Sequence, residues 1–250
     1  MLNEFSRTEG LLGSVAMERL KAARVAVFGI GGVGGHVAEA LARSGIFKLD
    51  LIDNDTVSLT NLNRQIIALH STLGRAKVEV MKERILDINP AAQVRTFQCF
   101  YLPETQNLFD FSQYDYVIDA VDTVSAKLAL ISQAKAAGVP IICSMGAGNK
   151  LAPTAFEVAD ISQTSVCPLA RVMRQECKKR GLTDVKVVYS KEKPVTACGT
   201  GELKGNSPAP GSCAFVPSVA GLIIASEVIK DLCADKPGAK ARRQRQDTKH

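Results

Sequence analysis

No apolar run in this 250-residue chain is long enough to cross a bilayer. The nearest approach, CAFVPSVAGLIIASEVI, is broken by Pro217, two serines and Glu227. It falls short of the roughly 20 apolar residues that a span requires, so it predicts a buried helix and no membrane span. No secretory leader is expected either. MLNEFSRTEG has acidic and polar residues where a basic segment followed by an apolar one belongs, so a cytoplasmic location is expected, with the cysteines reduced. The seven cysteines, Cys99, Cys143, Cys167, Cys177, Cys198, Cys213 and Cys233, include no C-x-x-C pair, and no structural zinc is expected. Each is read as a small hydrophobe, the alternative being an exposed thiolate at Cys213, which follows a glycine-rich stretch. His36 and His70 lack a spaced partner and are read as helix-face residues, not as bases. There is no internal repeat and no phosphate loop of the G-x-x-x-x-G-K-[ST] type.

A balanced surface is the next deduction, although the net charge is +6. Residues 236–250 hold six Lys or Arg against Asp247 alone. That basic tail, expected to be disordered, contributes +5 and leaves +1 for residues 1–235, so the net charge does not single out a polyanion partner. One local basic stretch remains. Residues 171–193 carry eight Lys or Arg against Glu176, Asp184 and Glu192, and Arg171, Arg174, Lys178, Lys179 and Arg180 are its candidates for polyanion contact, the alternative being a solvated helix face.

What is present is an alternation of short apolar runs with longer amphipathic ones. RVAVFGI reads as a strand, VGGHVAEALARSG as a helix and KLDLID as the next strand; this is a βαβ unit. A helix over RAKVEVMKERILDI, ended by Asn89 and Pro90, precedes strands near AQVRTFQ and YDYVIDA. A helix over TVSAKLALISQAKAAG stops at Gly138 and leads into the strand VPIICSMG. The predicted fold is α/β: a Rossmann-like, doubly wound, mostly parallel sheet with helices on both faces and a C-terminal extension. TAFEVADI, PLARVMRQECKKRG and VKVVYSKE then predict strand, helix and strand. The glycine- and proline-rich 190s to 212 predict a mobile loop, a candidate lid or partner-binding segment, and residues 214–233 a closing helix. Residues 1–235 are read as one domain, with a nucleotide-binding part over 1–150 and a substrate or partner part over 151–235.

GIGGVG places Gly29, Gly31 and Gly34 in the spacing G-x-G-x-x-G, with Gly32 between them, directly after one strand and opening one helix. Glycines let backbone N–H groups approach phosphate oxygens, and the helix N-terminus offers partial positive charge. Asp53, ending the second strand, can accept hydrogen bonds from a ribose, with Asn54 and Asp55 beside it. NAD and ATP fit such a turn equally, and a glycine turn needed only for packing is the remaining alternative. The segment TNLNRQ favours a triphosphate: Asn61, Asn63, Arg64 and Gln65 gather amide and cationic groups after the ribose acid. Lys77 adds a second cation, and Asp122, after another strand, offers a carboxylate for magnesium.

These segments resemble a known family. GIGGVGG, LIDNDTVSLTNLNRQI, GRAKVE and DAVDTVSAK are similar to the ThiF/MoeB enzymes, relatives of the ubiquitin-activating enzymes, over about residues 5–160. The resemblance implies binding of ATP and Mg2+ and adenylation of a carboxylate. It assigns Asp53 to the ribose, Asn61, Arg64, Gln65 and Lys77 to the phosphates, and Asp122 to magnesium. Arg7, in FSRTEG, resembles an arginine that reaches the phosphates from a neighbouring subunit, which implies a homodimer. Family members that activate sulfur-carrier proteins commonly carry two C-x-x-C pairs, which this chain lacks. Together with GSCAFVPSVAGLIIASEVI near the C-terminus, that departure resembles the branch whose members use ATP to dehydrate threonylcarbamoyladenosine in tRNA to a cyclic form. On that likeness the basic 171–180 residues become tRNA candidates. The alternatives are an adenylyltransferase acting on a sulfur-carrier or ubiquitin-like protein and, from the glycine turn alone, an NAD-dependent oxidoreductase.

Overall fold

The structure is a computed structural model that describes residues 2–102, 104–196, 203–204 and 207–234. Two short helices, α1 (Ser6–Leu12) and α2 (Ser14–Ala22), open the chain. No element was expected here, because α1 buries no residue and α2 only Ala16 and Leu20, too few contacts to write an apolar stripe into the sequence. Then come β1 (Arg24–Phe28), α3 (Gly34–Arg43), β2 (Lys48–Ile52), α4 (Lys77–Ile88), β3 (Gln93–Phe97), β4 (Tyr116–Asp119), α5 (Val124–Ala137) and β5 (Ile141–Ser144). The second half adds β6 (Phe156–Asp160), α6 (Pro168–Lys179), β7 (Lys186–Ser190), a small hairpin of β8 (Leu203–Lys204) and β9 (Ser207–Pro208), and α7 (Phe215–Cys233).

Seven strands form one sheet in the order β3-β2-β1-β4-β5-β7-β6. All its pairings are parallel except that of β6 with β7. The fold is therefore an α/β, doubly wound, mostly parallel sheet, with strands from both halves of the chain in it. Its inner strands are near-continuous apolar runs because helices cover both faces. On one face Leu20, Val37, Leu41, Met81, Ile224 and Val228 bring α2, α3, α4 and α7 onto the sheet. On the other, Leu130, Ile131, Ala170 and Met173 bring α5 and α6, joined by aromatic residues around Phe28. Gly138 ends α5 in the left-handed conformation at φ 63°, as its place before Pro140 anticipates.

The amino edge of the sheet is closed by charge pairing. Tyr116 donates its hydroxyl to Asp231 at 2.6 Å, and Lys186 bridges Glu227 at 2.9 Å and Asp231 at 3.0 Å. These contacts fasten α7 to β4 and β7. The opposite, carboxyl edge stays open. Winding reverses between β1 and β4 there, the switch point at which doubly wound sheets take their ligands. Among the described residues no helix is long and apolar enough to cross a membrane.

The segment read as a loop before α7 is only partly a loop. It contains the β8–β9 hairpin, and its end is held by Asn149, which adopts φ 56°. The Asn149 amide donates to the Gly211 carbonyl at 2.8 Å, its Oδ1 accepts from the Gly211 amide at 2.7 Å, and its carbonyl accepts from Val195 at 2.8 Å. One residue thus joins both flanks of the segment to the loop after β5. The rest of the segment, Cys198 included, and the basic tail over 236–250 lie outside the described residues.

Candidate active site

The exits of β1, β2, β4 and β5 open into one cleft of about 1310 Å3, larger than the roughly 300–1,000 Å3 of a typical small-molecule site. Every residue expected to contact the nucleotide lines this cleft except Gly34 and Arg7.

The two outer glycines of the turn serve packing. A Cβ on Gly34 would fall 1.7 Å from the Gly29 carbonyl oxygen, so this position closes the turn and leaves no room for a side chain. Gly31 differs: its nearest neighbour to an added Cβ is Gln65 Nε2, at 4.0 Å. The bare backbone at Gly31 therefore faces open cleft, and packing alone does not account for it. No side chain caps the N-terminus of α3, so its first-turn N–H groups keep their partial positive charge for a ligand.

Asp53 binds the chain before it binds anything else. Its carboxylate accepts the Ile30 amide at 2.6 Å and the Asp55 amide at 2.8 Å, tying the glycine turn to the exit of β2. Burial pushes its carboxyl group up from the ordinary range, and the nearby Lys77 ammonium opposes that shift. Lys77 reaches the site because residues 55–57 pair with 74–77: Val57 donates to Arg75 at 2.9 Å and Lys77 to Asp55 at 3.0 Å. Its buried Nζ lies 2.7 Å from Asp55 and 3.9 Å from Asp53.

The polar cluster after Asp53 divides its labour. Asn61 ends a 3-10 turn over Leu59–Asn61, and its Oδ1 accepts the Ser58 amide at 3.1 Å. Half of its amide is thus structural, which leaves the NH2 as its donor. Asn63 departs from the expectation that it faces phosphate. Its Nδ2 donates to the Ser212 carbonyl at 2.9 Å, and its Oδ1 accepts from Arg64 Nη1 at 2.9 Å, so it joins the 209–212 wall to the guanidinium. Arg64 Nη1 also donates to the Thr60 carbonyl at 2.8 Å. The remaining N–H groups of the fork keep their donor capacity. Gln65 is buried, and its Oε1 has no hydrogen-bond partner, an orphan at the cleft wall whose cost a bound donor relieves.

At the exit of β4, Asp122 is exposed and accepts the Thr123 hydroxyl at 3.3 Å. The N-cap position of α5 is Thr123, the next residue. Beneath it lies a feature that sequence reading missed. Lys127 and Asp119 are both fully buried and paired at 3.0 Å, and Lys127 Nζ also donates to the Ser144 carbonyl at 2.6 Å. Asp119 Oδ1 in turn accepts the Val121 amide at 3.2 Å. One ammonium thus fixes the ends of β4 and β5, the two exits that carry Asp122 and the loop through Gly148. The only signal in the sequence was a lysine eight residues after an aspartate, across a strand-to-helix junction.

Other expected residues are not brought together. Arg7 is exposed on α1 and is not part of the cleft of its own chain. On α6, Arg174 turns inward and donates to Thr164 Oγ1 at 2.8 Å, while Lys179 and Arg180 both pair with Glu176; Arg171 and Lys178 remain exposed. His36 sits on α3, with its Nδ1 at 2.8 Å from the Gly32 carbonyl, whereas His70, on a 3-10 turn, lines the cleft. Cys143, Cys167 and Cys177 are buried, but Cys99, Cys213 and Cys233 are only half-buried. Burial pushes the Cys99 thiol up, away from thiolate character.

Comparison with known proteins agrees with this layout. The ThiF family model matches residues 5–249. A Bacillus subtilis protein named tRNA threonylcarbamoyladenosine dehydratase is 46% identical over 94% of this chain and 96% of its own length. The Escherichia coli protein of that name is 36% identical over 92% and 93%. Crystal structures of the E. coli enzyme with AMP and with ATP superpose with TM-scores of 0.84 and 0.83, at 37% identity and covering 96% of both chains. With its glycine turn, acid and cationic cluster at the switch point of a doubly wound sheet, the chain belongs to the ThiF family.

Proposed function

We propose that this protein uses ATP to adenylate the carboxylate of a threonylcarbamoyladenosine in tRNA and so dehydrates it to the cyclic form. The observation that carries the proposal is convergence: the glycine turn after β1, Asp53, Arg64 and Lys77 after β2 and Asp122 after β4 line a single cleft. The relatives named above, similar over nearly the whole chain, supply the substrate. The cleft volume supports two reactants side by side, a nucleotide over the β1–β4 switch point and the modified nucleoside toward Gly146, Leu169 and the 209–212 wall.

In the first step a carboxylate oxygen of the substrate attacks the α-phosphorus of ATP, and the bond to the pyrophosphate breaks. Charge gathers on the α-phosphate and the leaving pyrophosphate, where Arg64, Lys77 and the α3 N-terminus oppose it. In the second step an atom of the same threonylcarbamoyl group attacks the acyl carbon. The ring closes, and AMP departs with the original carboxylate oxygen. Holding both groups in one site supplies the proximity this closure needs, and no covalent bond to the enzyme is required.

Among the described residues no three His, Cys, Asp or Glu side chains gather as a metal site. Magnesium held through one or two carboxylates and substrate phosphates needs no such cluster, and Asp122 at the cleft fits that donor set. When bound there, the ion neutralises phosphate charge.

Arg7, on an exposed helix away from its own cleft, fits a role in the cleft of a second copy, so the working unit is a homodimer. Arg171 and Lys178 are the α6 cations left for the tRNA backbone. Residues 1–235 act as one adenylating unit, and a tRNA substrate agrees with work in the cytoplasm.

Two measurements test the reading. AMP production from ATP is expected to depend on tRNA carrying the linear modification, with the cyclic nucleoside appearing by mass spectrometry; AMP production driven instead by a carrier protein ending in Gly-Gly, and indifferent to tRNA, would overturn it. Gly31→Ala is expected to leave the melting temperature within about 2 °C, as for substitutions that meet open space. It should weaken ATP binding roughly tenfold, the loss of about one charge-assisted hydrogen bond. Gly34→Ala should do the opposite, losing about 3 kcal/mol or more of stability to overpacking.

A further inference from the structure

An aromatic ring stands unused at the rim of the cleft. Phe28, Phe97, Tyr101, Phe109 and Phe111 pack on one another with ring centroids 5.0–6.3 Å apart. Phe100 lies in the middle of that segment, yet makes no ring contact among the described residues, is 60% exposed and lines the cleft. A single exposed apolar side chain is ordinary on a protein surface; what sets Phe100 apart is that it is an aromatic ring on the wall of the cleft.

Its place in the fold identifies the partner. β2 and β3 pair with Ile52 opposite Phe97, and the Asp53 amide donates to the Phe97 carbonyl at 3.2 Å. Phe100 therefore leaves the sheet beside the ribose acid, one strand over. A base attached to a ribose at Asp53 extends into the space lined by Phe100 and Leu102 on the β3 side and by Val121 and Ala126 from beyond β4. The ring is also held ready. Thr105 Oγ1 donates to the Phe100 carbonyl at 2.6 Å and accepts the Leu102 amide at 2.9 Å, while the neighbouring Tyr101 ring is locked into the aromatic cluster. The backbone that carries Phe100 is thus fixed before any ligand arrives, which lowers the ordering cost of binding.

Resting on the nucleotide reading above, we infer that Phe100 is the platform on which the nucleobase of ATP stacks, and that it sets base affinity through the π-face. Phe100, Leu102, Val121 and Ala126 give this part of the cleft an apolar face, with Cys99, Tyr101, Asp122 and Thr123 also on the cleft wall. Stacking accepts any purine; ATP and GTP then depend on Phe100 alike, and a ligand without a base does not depend on it at all.

The chain has no tryptophan, so Phe100→Trp creates a single fluorescent reporter. Its emission is expected to be quenched on titration with ATP and unchanged with inorganic tripolyphosphate, while Leu108→Trp, 65% exposed and outside the cleft, stays silent to both. By calorimetry, Phe100→Ala should raise the Kd for ATP and for GTP roughly 5- to 100-fold and leave that for tripolyphosphate unchanged. Wild-type Kd for ATP in Phe100→Ala, or an unquenched Phe100→Trp at ATP saturation, overturns the inference and leaves the proposed function standing. Unchanged ATP binding with a raised KM for modified tRNA overturns it too, by giving the ring to an RNA base. Failure of the unsubstituted protein to bind ATP would bring down both.

Discussion

Arg64→Ala and Asp122→Ala are each expected to lower AMP release by roughly 10²- to 10³-fold, the size of effect seen when one preorganised charge-stabilising group is removed. Neither should disturb the fold. Arg64 makes its hydrogen bonds through one nitrogen to Thr60 and Asn63 on its own short turn, and Asp122 is exposed, on the loop between β4 and α5. Thermal melting run beside an AMP assay separates the two outcomes. Arg64→Lys adds a finer test, because it keeps the charge and loses the planar fork, so an intermediate rate is expected. Normal turnover in Asp122→Ala would remove that residue from the metal site, and normal turnover in Arg64→Ala would remove the cationic cluster from catalysis.

The largest loss of stability is expected from Lys127→Met. Removing one partner of a buried ion pair leaves an uncompensated charge, at a cost of about 3–5 kcal/mol. For a chain of this size that is on the order of 10 °C in melting temperature, at roughly 2–4 °C per kcal/mol. Asp119 would keep only the Val121 amide among the partners named above, and the Ser144 carbonyl would lose its buried donor. Pairing the change with Asp119→Leu should recover most of the stability, since an apolar replacement of both partners is often neutral. AMP release should stay depressed in that double variant, because the exits of β4 and β5 are no longer fixed to one another. Full activity there would make the pair a matter of stability alone. Melting curves of the two single variants and the double variant form the cycle that decides this.

The sheet and its helices were legible because burial on both faces writes itself into composition. VAVF, YVID and IICS are buried throughout as inner strands and apolar but for Asp119 and Ser144 at their carboxyl ends, while α3 shows Val37, Ala38, Leu41 and Ala42 at helical spacing. Gly138 and Pro90 marked helix ends through backbone geometry that local sequence determines. The N-terminal helices were illegible for the converse reason, since they bury almost nothing. The orientation of β6 was illegible as well. A five-residue strand reads the same in either direction, and its antiparallel pairing depends on the path of the chain through α6 and back along β7.

At the site, sequence supplied residue types and chain order but not allegiance. Asn61, Arg64, Gln65 and Lys77 line one cleft, because they all lie in the stretch that follows β2. Asn63 lines the same cleft, but its amide is engaged by Ser212, 149 residues away. Arg174 looked like any other cation of α6 until its contact with Thr164 showed it turned inward. Both distinctions are tertiary, set by which loop packs against which, and no local pattern encodes them. Lys127 was hidden for the same reason: a lysine in an amphipathic helix reads as solvated unless its burial is seen.

The strands at the two margins of the sheet have a consequence of their own. β3 carries Arg95, paired with Asp50, and β6 carries Glu157, paired with Lys191. A neighbouring molecule that tried to lengthen the sheet at either margin would have to accommodate those charges against its backbone, a known deterrent to runaway strand addition. Self-association by this route is opposed, which directs any second copy toward the helical surfaces, where Leu11 and Val15 stand exposed near the start of the chain.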